Sequence, residues 1–185
     1  MTYASAEHDR MIAAMLMPCA VVGVDLAAAA VRVSDGEWTS AWVRWHSLAA
    51  GKARHWRAPS LGEQGVLFNP SGQAGMGTFI PGLYGNAGGQ PDNRDHVEVW
   101  RFDDGGSLVY DWAAKSYTIT VPGGTVNISV GGTSAVVADS SVTVTAGDIA
   151  LIGAVKVDGP LLVTGDITGK GKIMDAGGNS ANHKH

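Results

Sequence analysis

Hydrophobic and polar positions alternate along this chain in two distinct manners. Between residues 19 and 90 the apolar runs are short and separated by turn residues. Val21-Val22-Gly23-Val24 reads as an apolar strand, and Ala30 to Val33 opens another that ends at the turn signal Ser34-Asp35-Gly36. Thr39 to His46 alternates around Trp42, Val43 and Trp45, and a polar loop runs from Ala49 to Pro59. Val66-Leu67-Phe68 and Thr78-Phe79-Ile80 follow as strands, separated by Asn69-Pro70-Ser71-Gly72. Five short strands with glycine-rich turns over about 70 residues predict a small closed barrel of the OB-fold type. Ahead of it, residues 1–18 predict a short helical segment. Met11, Ile12, Met15 and Leu16 share one face, and Pro18 ends the pattern.

Residues 86–94 read as a linker, and beyond it the pattern changes. From His96 onward the alternation is nearly pure, with Val97–Phe102, Ser107–Trp112, Ser116–Val121, Thr125–Val130 and Ser141–Thr145 as period-2 segments. Asp103-Asp104-Gly105-Gly106, Pro122-Gly123-Gly124, Gly131-Gly132 and Gly147-Asp148 punctuate them, with later breaks at Asp158-Gly159, Gly165-Asp166 and Gly169. Valine and isoleucine alternate with threonine and serine, and no large aromatic follows Tyr117. The apolar face is therefore one residue deep. A monomer built this way has a thin core and long unpaired edges. Two architectures answer the pattern: a threefold assembly that buries the valine faces on its axis, or a monomeric meander or solenoid. The overall expectation is an all-β chain of three parts: residues 1–18 helical, 19–90 an OB barrel, and 91–185 a repetitive β tail.

Composition narrows the functions. The 185 residues carry a net charge of −4 with 16% charged residues, so no basic face is available to grip phosphates and no nucleic-acid partner is expected. All six tryptophans lie at or before position 112. Those at 38, 42, 45 and 56 could stack bases in an OB-fold, but without a basic stripe they read as core packing or subunit contacts. Cys19 is the single cysteine, so no disulfide forms within the chain; it reads as a small buried apolar residue. The charged cluster Glu7–Arg10 before Met11 does not read as a signal peptide, and no stretch is long and apolar enough to span a bilayer.

The most distinctive chemistry is at the C-terminus. In His183-Lys184-His185, an extended backbone points both histidines to one side and Lys184 to the other. One chain offers a metal two ligands. Three chains on a threefold axis offer six, an octahedral set with no position left for a substrate. Structural zinc prefers four ligands, and imidazole also suits iron, nickel and copper. His8, His46, His55 and His96 lack a catalytic partner at motif spacing and read as solvated or packing residues. Asp103-Asp104 reads as a hairpin turn, and Gly85 to Gly89 lacks the context of a phosphate loop. No catalytic or cofactor-binding residue is assigned, and the chain is not expected to be an enzyme.

Taken in order, these segments resemble the central spike, or baseplate assembly protein V, of contractile phage tails and R-type pyocins. The resemblance rests on Val21-Val22-Gly23-Val24-Asp25-Leu26 leading to Val31-Arg32-Val33, then Trp42-Val43-Arg44-Trp45, Pro59-Ser60-Leu61-Gly62-Glu63-Gln64, Pro70-Ser71-Gly72 and Pro81-Gly82-Leu83-Tyr84. The repetitive β tail and the terminal His-x-His complete it. The resemblance implies a homotrimer whose OB-folds form the base and whose C-terminal halves form an intertwined, triple-stranded β-helix. It also implies one iron ion per trimer, held near the tip by His183 and His185 of each of three chains. Similar spikes often carry residues after the second histidine, so here the carboxylate of His185 is expected beside the site. The implied function is a structural, membrane-piercing needle at the tip of a contractile tail. It would dock on a tail hub protein, assemble in the cytoplasm of the producing bacterium, ride at the tail tip of a virion or bacteriocin particle, and act at the target's outer membrane. The alternatives are an OB-fold module binding nucleic acid or glycan on a β stalk, a trimeric metalloenzyme, and a receptor-binding tail fibre.

Overall fold

The structure, a computed structural model, describes residues 3–73 and 76–171. The chain forms two compact units, one running to Pro122 and the other starting at Gly123.

The first unit opens with helix α1 (Tyr3–Ala13), which buries none of its side chains. It is followed by β1 (Leu16–Asp25), β2 (Ala30–Ser34), β3 (Val43–Trp45), β4 (Gln64–Phe68) and β5 (Thr78–Leu83). These strands close a barrel in the order β1-β2-β3-β5-β4, with β3 and β5 parallel and β4 returning to β1. The expected five-strand barrel is present. Its core is Cys19, Val21, Val31, Val33, Val43, Leu67 and Phe79, with Met17, Val24, Trp38 and Trp45 packed against it. Phe79 is the largest fully buried side chain, and Gly65 makes room for it: a Cβ there would lie 2.6 Å from the Phe79 ring and 2.2 Å from the Ile80 carbonyl oxygen.

Two local expectations are corrected. The helix ends at Ala13, so Met15 and Leu16 leave it, and Pro18 lies inside β1. Pairing decides this against local pattern. Asn69 donates its side-chain amide to the Ala14 carbonyl (2.9 Å) and its backbone N–H to Met15 (2.8 Å), while Leu16 and Met17 pair with Phe68 and Leu67. Pro18 is tolerated because of register. The bonded pairs Met15–Asn69 and Val21–Glu63 set an alternation in which Pro18, opposite Val66, exchanges no hydrogen bond with β4. Pairing with β2 starts only at Ala20, so the missing N–H is not needed. The second correction concerns Thr39 to His46, which forms a strand only at Val43–Trp45. Buried Ser40 interrupts it: its hydroxyl accepts from the Val33 N–H (3.0 Å) and donates to the Ala41 carbonyl (2.7 Å), taking over bonds a ladder would make.

After the linker come β6 (Val97–Arg101), β7 (Ser107–Asp111) and β8 (Ser116–Thr120), an antiparallel sheet in sequence order. Arg94 ties the linker to this sheet. Its guanidinium holds Asp92 through two bonds (3.1 and 2.8 Å) and reaches Asp111 at the end of β7 (3.1 Å). This bonding holds the Asp92 carboxyl far below its ordinary range.

The second unit contains β9 (Thr125–Val130), β10 (Thr133–Ala138) and β11 (Val142–Thr145), again an antiparallel sheet. β10 is not foreseen by the alternation, because Ala135-Val136-Val137 breaks period 2. Between residues 146 and 171 no strand pairing occurs among the described residues.

Candidate functional site

The functional surface of this molecule is an apolar face rather than a pocket. Register creates it. β9 and β10 pair Val126 with Val137, Ile128 with Ala135 and Val130 with Thr133. β10 and β11 pair Val137 with Val142 and Ala135 with Val144. Directly opposed residues share a face, so Val126, Ile128, Val137, Val142 and Val144 stand together. Thr125, Asn127, Ser129, Ser134, Thr143 and Thr145 take the other side, with Val136 the apolar exception. A one-residue slip would exchange the two faces.

Much of this face is exposed among the described residues. Ile128 is 62% exposed, Val130 76% and Val142 70%. In the sheet β6–β8, Trp100, Tyr110, Tyr117 and Ile119 are also exposed. There Glu98, Trp100, Leu108, Tyr110 and Tyr117 line one groove, in which Trp100 donates to Glu98 (3.0 Å) and the Tyr110 and Tyr117 rings lie 6.3 Å apart. Apolar surface on this scale marks an interaction face.

The candidate metal ligands His183 and His185 lie outside the described residues. Among the described residues no group of His, Cys, Asp and Glu could hold a metal. Three of the other histidines make structural contacts: His46 Nε2 meets Thr78 Oγ1 at 2.8 Å, His55 stands edge-on to Trp100 at 5.9 Å, and His96 Nδ1 meets Asp95 at 2.9 Å; His8 is exposed on α1. The tryptophans divide between core and surface. Trp38 and Trp45 pack on the barrel core, Trp45 also meets Trp56 at 5.4 Å, and Trp42 lies under the Arg32 guanidinium at 5.2 Å. Asp104 accepts from the Gly106 N–H (2.8 Å), with Gly105 at φ 86°, so Asp103-Asp104 forms the β6–β7 hairpin turn. Cys19 is buried, and burial pushes its thiol pKa up, away from reactivity.

One ion pair that the sequence pattern does not reveal anchors the long loop between β3 and β4. Arg57 grips Glu63 with both guanidinium nitrogens, and Glu63 also accepts from the Ser60 N–H (2.9 Å). Burial disfavours the Glu63 charge, but the Arg57 and Ser60 donors outweigh it, so its carboxyl stays below the ordinary value.

Comparison with known proteins matches two stretches of the chain. Residues 17–84 match the Type VI secretion system/phage-baseplate injector OB domain, and residues 98–169 match the Gp138 beta helical trimerization domain. The Spike protein of Escherichia phage P2 is 29% identical over 184 residues, covering 97% of this chain and 82% of that protein. The chain thus matches an injector OB domain followed by a β-helical trimerization domain and is similar to a phage spike along nearly its whole length.

Proposed function

We propose that this chain forms the homotrimeric needle at the tip of a contractile tail and is driven through the outer membrane of a target bacterium when the sheath contracts. The observation that carries the reading is the contrast between a self-sufficient barrel and a needle segment whose apolar face is bare in the single chain, within the part of the sequence that matches a trimerization domain. Three copies remove that exposure and the unpaired sheet edges together. The trimer works by shape and rigidity rather than by catalysis. The barrels form the base, which docks on a tail hub protein, and the C-terminal halves form the piercing end. The protein assembles in the cytoplasm of the producing cell and acts from the particle's tail tip.

His183 and His185 of the three chains together supply six imidazole nitrogens, a donor set that suits iron. One iron ion held there cross-links three strand ends where little surface remains to bury. The ion's contribution is structural: every donor comes from the protein, and the ion closes the tip.

Two measurements test the reading. Light scattering of the purified protein should give three times 19.1 kDa, about 57 kDa. Antibody labelling of assembled tails should place the protein at the baseplate tip, and tails lacking it should fail to permeabilise the outer membrane. A monomer in solution, or normal permeabilisation without the protein, overturns the proposal.

A further inference from the structure

The net charge of −4 conceals an uneven distribution. From Trp38 to Gly62 the chain carries no aspartate or glutamate, yet it carries Arg44, Lys52, Arg54 and Arg57. Arg57 is neutralised by Glu63. Arg44 and its neighbour on β2, Arg32, form no ion pair among the described residues.

Register puts these two arginines on one outer face of the barrel. β2 and β3 pair Val31 with Val43 and Ala30 with Arg44, and both valines belong to the core. Arg44 therefore points outward, and so does Arg32, two residues beyond Ala30. Trp42 follows the same alternation and lies under the Arg32 guanidinium, its ring centroid 5.2 Å away. Gly23 pairs with Arg32 and seats the indole: a Cβ there would lie 3.4 Å from the ring. A register shift between Val21 and Gly23 leaves Val22 outside the regular ladder next to this seat. His46, two residues beyond Arg44, continues the outer face and meets Thr78. The result is a short basic and aromatic stripe that the overall charge does not reveal.

This face is prepared for a partner. Trp42 is 48% exposed and Val22 51%, so neither belongs to the barrel core. Stacking on Trp42 orders Arg32 in advance, while no hydrogen bond among the described residues uses its N–H groups. A guanidinium held flat with free N–H edges is organised to take a carboxylate in a bidentate manner. OB-folds also take their ligands on the face of strands 2 and 3.

We propose that Val22, Arg32, Trp42 and Arg44 form the docking surface of the barrel for an acidic, apolar-edged surface of the protein on which the base sits in the tail. A protein fits better than a single-stranded nucleic acid. A strand is held by successive bare aromatic faces along a cationic groove, whereas here one face of the single indole already carries Arg32 and the stripe holds two unpaired arginines. An exposed tryptophan, arginines and an adjoining apolar side chain are the residues that carry protein interfaces. The partner supplies the carboxylates because this face supplies none.

This inference rests on the hub docking proposed above, and assembled tails separate the two. The double variant Arg32→Glu/Arg44→Glu and the single variant Trp42→Ala are made in the full chain and expressed in the producing cell. Both should remain about 57 kDa by light scattering, three times 19.1 kDa, with the barrel's thermal transition retained. Their amount in purified tails should fall at least about tenfold, because reversing or truncating a desolvated contact acts on the stability of the docked state. A photo-crosslinking amino acid at position 22 of the otherwise unmodified chain should join it to a different protein, at a segment rich in aspartate or glutamate by mass spectrometry. Full incorporation of the double variant, or cross-linking only to a second copy of this chain, overturns the docking surface and leaves the tail-tip needle standing. Binding of a fluorescein-labelled oligothymidylate by the isolated trimer, lost in the double variant, overturns it in favour of a nucleic-acid site. Absence of the unmodified chain from tails overturns both the surface and the reading it rests on.

Discussion

The barrel and the needle use similar residues to opposite ends. In the barrel, Val31, Val33 and Phe79 are fully buried within one chain, and the strands close on themselves so that no edge is left. Among the described residues from 97 to 171, Gly106 alone is buried. The needle's Val126, Ile128, Val137, Val142 and Val144 are as hydrophobic as the barrel's valines, but their sheet is open and one layer thick. A closed sheet can surround its own core. A flat strip cannot, so its burial is deferred to assembly. The barrel should therefore fold at any concentration, whereas the needle's stability belongs to the trimer and depends on concentration.

Substitutions can break this contrast on either side. The largest effect is expected from Ile128→Asp, which puts three carboxylates into the proposed shared core. Light scattering should fall from about 57 to about 19 kDa, while the fluorescence of the four barrel tryptophans, Trp38, Trp42, Trp45 and Trp56, read with Trp100 and Trp112 replaced by phenylalanine, should still report a folded barrel. A trimer of unchanged mass and melting temperature would break the contrast. Next is Phe79→Ala in the barrel. It should cost about 3–5 kcal/mol and lower the barrel's thermal transition without dissociating the needle. His183→Ala should abolish the proposed bound iron, measured as metal content per trimer, and leave the barrel transition unmoved; an undiminished ion would refute the ligand assignment.

A smaller effect sharpens the barrel side. Glu63 titrates below its ordinary value in the folded chain, so its pairing with Arg57 stabilises the fold above the unfolded-state pKa. That contribution is lost as pH falls through the lower, folded value. Glu63→Gln should destabilise the barrel by about 1 kcal/mol at pH 7, and the difference from the unmodified protein should shrink as pH falls below the ordinary carboxylate pKa and vanish below the lower, folded value. A difference that persists there would show that the side chain acts by packing.

Much of this was legible in the residues. Val21 to Val24, Ala30 to Val33, Val66 to Phe68 and Thr78 to Ile80 announce strands because short β-branched or aromatic runs end at turn residues. The period-2 tail announces strands with one apolar face. The exceptions have specific causes. Met15, Leu16 and Pro18 mimic a helix end, but the ladder with β4 and the Asn69 side chain draw them into β1. β10 was hidden because Ala135-Val136-Val137 carries no alternation, and only pairing with β9 and β11 on both sides makes it a strand. Arg57 and Glu63 are six residues apart in a loop, at a spacing that predicts no contact until the loop is closed.

By itself the sequence determined the kinds of element, the turn positions and the segregation of charge from the apolar positions of the needle, because side-chain period and glycine placement are local properties. Tertiary structure alone decided the order in which the five strands close, where α1 ends, and which valines share a face. Those depend on register, and register is set by backbone partners distant in the chain that no local pattern names.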